Sequence, residues 1–242
     1  MKFGYSMPST SPFYPEPPFY FENNKIISIV FTTTKEALRE LVPSPLLPNP
    51  QNLAYIYLGI LNVPQRGVYK EAGIGIPAFF GEKIGNYLLY LYLDEAFAIV
   101  PGREIWGWPK KDAEITFSEG AGTYNASVKR AGATIISLSL DNLEVVEQIP
   151  DPSNTPNINL KIIPSVKKGY PPDVLQLTTS TVLSRKKALF QGKATLVFNS
   201  SPDDPLDHLP VLDILSGEQS IEDMSMDCGD VLFDYLAGNQ LY

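Results

Sequence analysis

Short β-forming runs, repeatedly broken by proline and glycine, constrain this chain more than any other feature. Residues 25–31, 53–63, 68–80, 87–93, 131–140, 160–164, 174–183, 194–198 and 231–236 are rich in Val, Ile, Leu, Tyr and Phe. Such residues fit a pleated, half-buried surface, and the 22 prolines and 17 glycines of the 242 residues leave little room for long helices. One helix signal stands out. Thr33-Thr34-Lys35-Glu36 has the spacing of a capping box, which predicts a helix over 35–41 that Pro43 and Pro45 stop, with Leu38 and Leu41 as a narrow apolar face. Ten or more short strands with one clear helix, and neither a βαβ alternation nor an internal repeat, predict a mainly β (β-rich α+β) protein built on antiparallel sheet. We expect one domain, 21–242, closed as a barrel whose interior is filled or hollow according to side-chain size. Residues 1–20 carry Pro8, Pro12, Pro15, Pro17 and Pro18 among Phe13, Tyr14, Phe19 and Tyr20, which predicts an extended arm packed on the body or on a neighbouring subunit.

Composition removes several functions. With 44% hydrophobic and 19% charged residues the chain can bury a core. A formal net charge of −8 leaves no basic surplus for displacing phosphate counterions, so nucleic acid is not an expected partner. The single cysteine, Cys228, allows no intrachain disulfide, and the single histidine, His208, makes a histidine metal cage or a Ser-His-Asp triad hard to build. His208 lies in Pro-Leu-Asp-His-Leu-Pro and reads as a loop residue. Gly73-Ile74-Gly75 is only a fragment of a dinucleotide fingerprint, so neither a cofactor nor a metal is expected. No apolar run reaches the ~18–20 residues needed to span a bilayer, and the N-terminus lacks a continuous apolar stretch of the signal-peptide kind. The expectation is a cytoplasmic protein with no membrane partner.

What remains is lysine chemistry. Lys110 and Lys111 follow Trp106, Trp108 and Pro109, and these two are the only tryptophans. A Lys-Lys pair at a strand start is commonly a solvated edge charge. Buried among aromatics, however, the ammonium form of a lysine is disfavoured and the neutral amine is a nucleophile.

Gly102-Arg103-Glu104 followed by Trp108-Pro109-Lys110-Lys111 resembles the signature of the acetoacetate decarboxylase family. Residues 31–46, Tyr69-Lys70-Glu71-Ala72-Gly73, Tyr92-Leu93-Asp94, 160–164, Leu209-Pro210-Val211 and Asp234-Tyr235-Leu236 match in order and approximate spacing, so the likeness covers nearly the whole chain. The resemblance implies an antiparallel, cone-like closed β-structure, usually a homo-oligomer. It also implies a small keto acid as substrate, Lys110 as the Schiff-base nucleophile and Glu71 as the proton-transferring or substrate-orienting carboxylate. Lys111, Arg103, Glu104 and Trp108 would support the site; Arg103 and Glu104 would either line it or brace its loop as an ion pair.

In the implied reaction the amine condenses with a β-keto acid, acetoacetate first, and the iminium draws in the electrons released as carbon dioxide leaves; activated lysine in acetoacetate decarboxylase is itself the standard illustration of this principle. Because lysine ordinarily titrates near about 10.4, desolvation by Trp106 and Trp108 is expected to matter more than repulsion from Lys111, whose side chain leaves the strand on the opposite face. Alternation itself poses a question. Ala113, Ile115 and Phe117 form an apolar face that includes Lys111 and not Lys110, so either Pro109 or a bulge resets the register, or the cavity lies on the mixed face of Lys110, Asp112 and Glu114. Two positions depart from the family pattern: Asn24 stands where an arginine is expected and Ile56 where a glutamate is. Their joint loss suggests a changed pocket, which keeps two alternatives open: aldolase or dehydratase chemistry by the same lysine on another oxo acid, or a non-catalytic barrel binding a small apolar ligand.

Overall fold

The computed structural model describes residues 3–64, 66–120, 122–151, 155–237 and 239–240. In chain order the elements are β1 (Phe19–Thr32), α1 (Lys35–Leu41), β2 (Leu47–Pro48), β3 (Leu53–Val63), β4 (Gly67–Phe80), β5 (Lys83–Leu93) and α2 (Ala96–Pro101). They continue with β6 (Lys110–Asp112), β7 (Glu114–Gly120), β8 (Thr123–Arg130), β9 (Ala133–Val145), β10 (Asn157–Ile163), β11 (Val174–Ser180), β12 (Val182–Phe198), β13 (Ile214–Met226), β14 (Val231–Asp234) and β15 (Asn239–Gln240). α1 forms over the expected residues, but its cap is one residue later than the Thr33–Glu36 spacing implies: the Thr34 hydroxyl accepts from the Ala37 amide at 3.2 Å, while the buried Thr33 hydroxyl has no partner among the described residues, and Ala37 and Leu38 are buried.

One sheet holds all the strands, in the order β15-β14-β11-β10-β5-β4-β3-β1-β13-β12-β9-β8-β7, with β2 on β4 and β6 on β5. Most neighbours are antiparallel, but β5 pairs in parallel with both β6 and β10. The expectation of a closed barrel is corrected here: among the described residues no pairing joins β7 to β15, so the sheet is open. β7 is a solvated edge, since Glu114, Thr116 and residues 118–120 along it are exposed, and an edge dressed in polar side chains resists further pairing. Curvature nevertheless brings β1, β3, β4, β9 and β12 around one large apolar cluster that includes Ile27, Phe31, Ile56, Ile74, Ile136 and Leu196.

A second, smaller cluster lies on the opposite face: Phe21, Leu61, Tyr69, Leu88, Leu91, Leu93, Ala98, Trp106, Trp108 and Met226. Because the middle strands are covered on both sides, β5 is apolar in both of its parities, with Leu91 and Leu93 in the smaller cluster and Tyr92 in the larger. This resolves the alternation of the lysine strand. Ala113, Ile115 and Phe117 join the larger cluster, as alternation places them, and no reset of register is needed for Lys110 to be buried, because its own face meets the smaller cluster. Of the mixed face, only Lys110 is enclosed; Asp112 and Glu114 are exposed.

The N-terminal segment packs on the body. The Tyr14 hydroxyl donates to Glu104 Oε2 at 2.6 Å, and Arg66 Nη1 donates to the Phe13 carbonyl at 3.2 Å. The strand expected from about 25 starts earlier, at Phe19.

Candidate active site

Lys110 reaches its position through the segment before it. After β5 the chain forms α2, continues as a π-helical turn over Gly102–Trp106, and reverses at Gly107, which has φ 73°. A side chain at Gly107 would be strained in that left-handed conformation, and its Cβ would lie 2.3 Å from the Cβ of Lys161. The reversal lets β6 lie alongside β5, Lys110 opposite Leu91. The Trp108 amide donates to the Gly102 carbonyl at 2.9 Å, and Arg103 Nη1 holds the Lys110 carbonyl at 3.0 Å.

The amine is enclosed: 4% of the Lys110 side chain and 2% of that of Glu71 remain exposed. Lys110 Nζ sits 2.9 Å from Glu71 Oε2, donates to the Ala98 carbonyl at 3.0 Å, and lies 4.7 Å from the centre of a Trp108 ring and 5.9 Å from that of Tyr69. A buried charge is tolerated when paired and hydrogen-bonded, and aromatic faces add attraction for the cation. The space for the amine depends on Gly102, where a Cβ would approach Lys110 Cδ and Cε to 2.7 Å. Trp108 is fixed in turn by its Nε1–H, which donates to Ser180 Oγ at 2.9 Å.

Glu71 is fixed from its other oxygen. The Tyr57 hydroxyl donates to Oε1 at 2.6 Å, while Oε2 closes no hydrogen bond of good angle and faces Lys110 as a bare ion pair. Burial first, and then the neighbouring Glu71 charge, push the Tyr57 phenol well above its ordinary value, which keeps it a donor. The same two causes raise Tyr69. Tyr57 was not evident from sequence, because it reaches Glu71 only through the pairing of β3 with β4; its ring lies across Gly73, where a Cβ would come within 2.3 Å of it.

Two cavities meet here. An outer one of about 350 Å³ is lined by Lys110, Trp106, Trp108, Phe97 and, from the N-terminal segment, Tyr14 and Phe19, with Arg66 also on its wall. An inner one of about 210 Å³ is lined by Glu71, Tyr55, Tyr57, Leu61, Leu88 and Val182. Phe21, Tyr69, Trp108 and Met226 border both, so the Lys110–Glu71 pair stands at their junction.

The other residues singled out from sequence lie elsewhere. Lys111 points into the larger cluster's side, where its Nζ meets Asp204 Oδ1 at 2.7 Å. Arg130 Nε binds the other oxygen of Asp204 at 2.9 Å, and the Tyr92 hydroxyl donates to Oδ1 at 3.1 Å. Burial pushes the Asp204 carboxyl up, but the Lys111 hydrogen bond and charge, with Tyr92 and Arg130, outweigh it and hold the group below its ordinary value. Arg103 and Glu104 make no ion pair with each other among the described residues; the first braces the Lys110 backbone and the second takes the Tyr14 hydroxyl. Asn24 is fully buried as a bracket between strands, its Nδ2 donating to the Glu222 carbonyl at 2.9 Å and its Oδ1 accepting from the Asn62 amide at 2.9 Å. Ile56 is fully buried in the larger cluster, on the face away from Lys110. The idea that these two mark a removed charge pair in the pocket therefore fails, since Ile56 does not border either cavity. His208 and Cys228 are exposed. Among the described residues no group of three or more His, Cys, Asp and Glu side chains is placed to hold a metal, and no helix is long and apolar enough to cross a membrane.

The family model described as acetoacetate decarboxylase (ADC) matches residues 6–236. A protein named acetoacetate decarboxylase from Ralstonia nicotianae is 33% identical over 242 residues, covering 98% of this chain and 97% of its own length. One from Burkholderia multivorans is 30% identical over 246 residues, with 96% of each chain covered. A solved structure titled as structural studies of acetoacetate decarboxylase superposes with a TM-score of 0.88 at 28% identity, over 96% of both chains. These likenesses make the chain an enzyme of the carbon–carbon lyase class, of decarboxylase type. It belongs to the acetoacetate decarboxylase family.

Proposed function

We propose that the chain decarboxylates a β-keto acid through a Schiff base on Lys110, with acetoacetate, converted to acetone and carbon dioxide, as the reference substrate. The observation that carries this reading is the enclosed pair of Lys110 Nζ and Glu71 Oε2, 2.9 Å apart at the edge of an apolar cavity. Transfer of one proton from the ammonium to that carboxylate leaves a neutral amine aimed at the cavity. The amine adds to the ketone carbon to give a carbinolamine, and Glu71 returns the proton to its hydroxyl as water departs, leaving an iminium. The bond to the carboxylate then breaks, its electron pair entering the C=C bond of an enamine as carbon dioxide leaves. A proton from solvent water adds to the enamine carbon and regenerates the iminium, and water then adds to the iminium carbon, releasing the ketone and returning the lysine to its ammonium form. Tyr57 keeps Glu71 oriented through these steps, and Trp108 and Tyr69 exclude bulk water from the amine, which strengthens each electrostatic contact.

Borohydride added together with acetoacetate tests the reading. Irreversible labelling at Lys110, found by peptide mass mapping and accompanied by release of carbon dioxide, is the expected result. Labelling without gas would redirect the chemistry to aldol or dehydration reactions on the same iminium, and absence of any adduct with keto acids would overturn it.

A further inference from the structure

The inner cavity bears on which β-keto acid is used, given the Schiff-base reading above. Lys110 borders the outer cavity and Glu71 the inner one, so a carbonyl carbon bonded to Lys110 Nζ lies where the two meet. That carbon carries two substituents, the arm with the carboxylate and the group beyond the ketone. The carboxylate is disfavoured inside, because Glu71 already places a carboxylate on the inner wall and the other inner polar groups are uncharged phenols and an amide. The outer cavity offers the Arg66 guanidinium instead. The second substituent therefore points inward.

Size and lining then describe that substituent. A water molecule takes about 30 Å³ of liquid volume, so the methyl group of acetoacetate would leave most of an inner space of about 210 Å³ unfilled. Ile26, Leu61, Leu88, Val182 and Met224 give it apolar walls. One polar feature is spare. Tyr55 lies across Gly75, where a Cβ would be 2.4 Å from its hydroxyl oxygen, and this hydroxyl makes no hydrogen bond to any described residue although burial keeps it protonated. We propose that the substrate is a β-keto acid whose ketone carries an apolar group of about ring size, seated in the inner cavity and ending in a hydrogen-bond acceptor that meets Tyr55.

Steady-state decarboxylation by the full-length protein of acetoacetate, 3-oxo-5-phenylpentanoate and its 4-methoxyphenyl analogue tests this. The expected result is a kcat/KM for the aryl acids at least 10-fold above that for acetoacetate. Val182→Phe, which fills the inner cavity, is expected to cut that preference at least 10-fold, and Tyr55→Phe to remove the advantage of the methoxy over the plain phenyl acid. Met224→Phe probes another wall should Val182→Phe fail to fold. Equal or better use of acetoacetate by the unaltered protein, or a preference that both filling variants leave intact, overturns the inference while leaving the Schiff-base reading in place. Failure of every acid to form a borohydride adduct overturns both.

Discussion

Lys110 and Lys111 are consecutive, yet their ammonium groups end in separate environments, the first enclosed 2.9 Å from Glu71 and the second, partly exposed, 2.7 Å from the buried Asp204. The division follows from strand geometry, which sends neighbouring side chains to opposite faces, and from a sheet apolar on both faces at this point. Substitutions at the two positions should therefore separate chemistry from scaffolding. Lys110→Met is expected to abolish borohydride labelling and decarboxylation. Lys111→Met should keep labelling at Lys110 and retain kcat within about 10-fold, while lowering stability by about 1–3 kcal/mol as a buried carboxylate loses a charged partner. A collapse of kcat in a well-folded Lys111→Met would contradict this separation.

Removing one member of the Lys110–Glu71 pair leaves the other charged and buried. Lys110→Met alone is expected to cost about 3–5 kcal/mol in a denaturant titration. The double variant Lys110→Met, Glu71→Gln should recover part of that loss while remaining inactive. A double variant no more stable than the single one would show that the pair is not energetically coupled.

Glu71→Gln keeps an oxygen for Tyr57 but cannot take a proton from the lysine. Its kcat should fall by roughly 10²–10⁴, the usual range for loss of a positioned acid–base group. Tyr57→Phe removes only the 2.6 Å hydrogen bond to Oε1 and should cost far less. Finding the two losses equal would make orientation, and not proton transfer, the principal role of Glu71.

Gly102 has an ordinary helical backbone, φ −59° and ψ −43°, so alanine fits there conformationally, and the nearest atoms its Cβ meets are those of the Lys110 side chain. Gly102→Ala should fold normally and lose about 10²-fold in kcat/KM, the scale expected when a reacting atom is misplaced by about 1 Å. Unchanged kinetics would mean that the lysine can shift without consequence.

Asp204 sets a pH dependence of stability. Its carboxyl is held below its ordinary value in the folded protein. The stabilisation is therefore fully present above the unfolded value near about 3.9 and is lost as pH falls through the lower folded value. Asp204→Asn should be less stable than the parent by about 3 kcal/mol at pH 7, the low end for a buried pair because Lys111 and Arg130 are partly exposed. That gap should narrow only below about pH 4. A constant gap from pH 7 to pH 3 would assign the effect to packing alone.

Local signals account for what was legible in the sequence. The helix expected over 35–41 forms over those residues, although Thr34 and not Thr33 of the Thr33–Glu36 pattern caps it, and the apolar run 53–63 matches β3. The polar stretch of β13, Gly217-Glu218-Gln219-Ser220-Ile221-Glu222-Asp223, lacks a strand's hydrophobic signature, yet this strand lies inside the sheet, between β1 and β12. Residues 96–100 have the composition of a strand and form α2, which presents the Ala98 carbonyl to Lys110. Lys110 and Glu71 were recognisable through the resemblance, and the structure brings them together. Tyr57 and Asp204 were not recognisable, because 14 and 93 residues separate them from their partners Glu71 and Lys111, and only pairing register and chain return bring them close.

The wall that Tyr14 and Phe19 give to the outer cavity belongs to chain that precedes most of the sheet. Tyr14 is held by its bond to Glu104 and its neighbour Phe13 by Arg66, whereas Phe19 opens β1 opposite Met226. Removing the segment before β1 therefore takes away part of the binding site itself, and an assay on a protein shortened there measures a different pocket from that of the chain that keeps it.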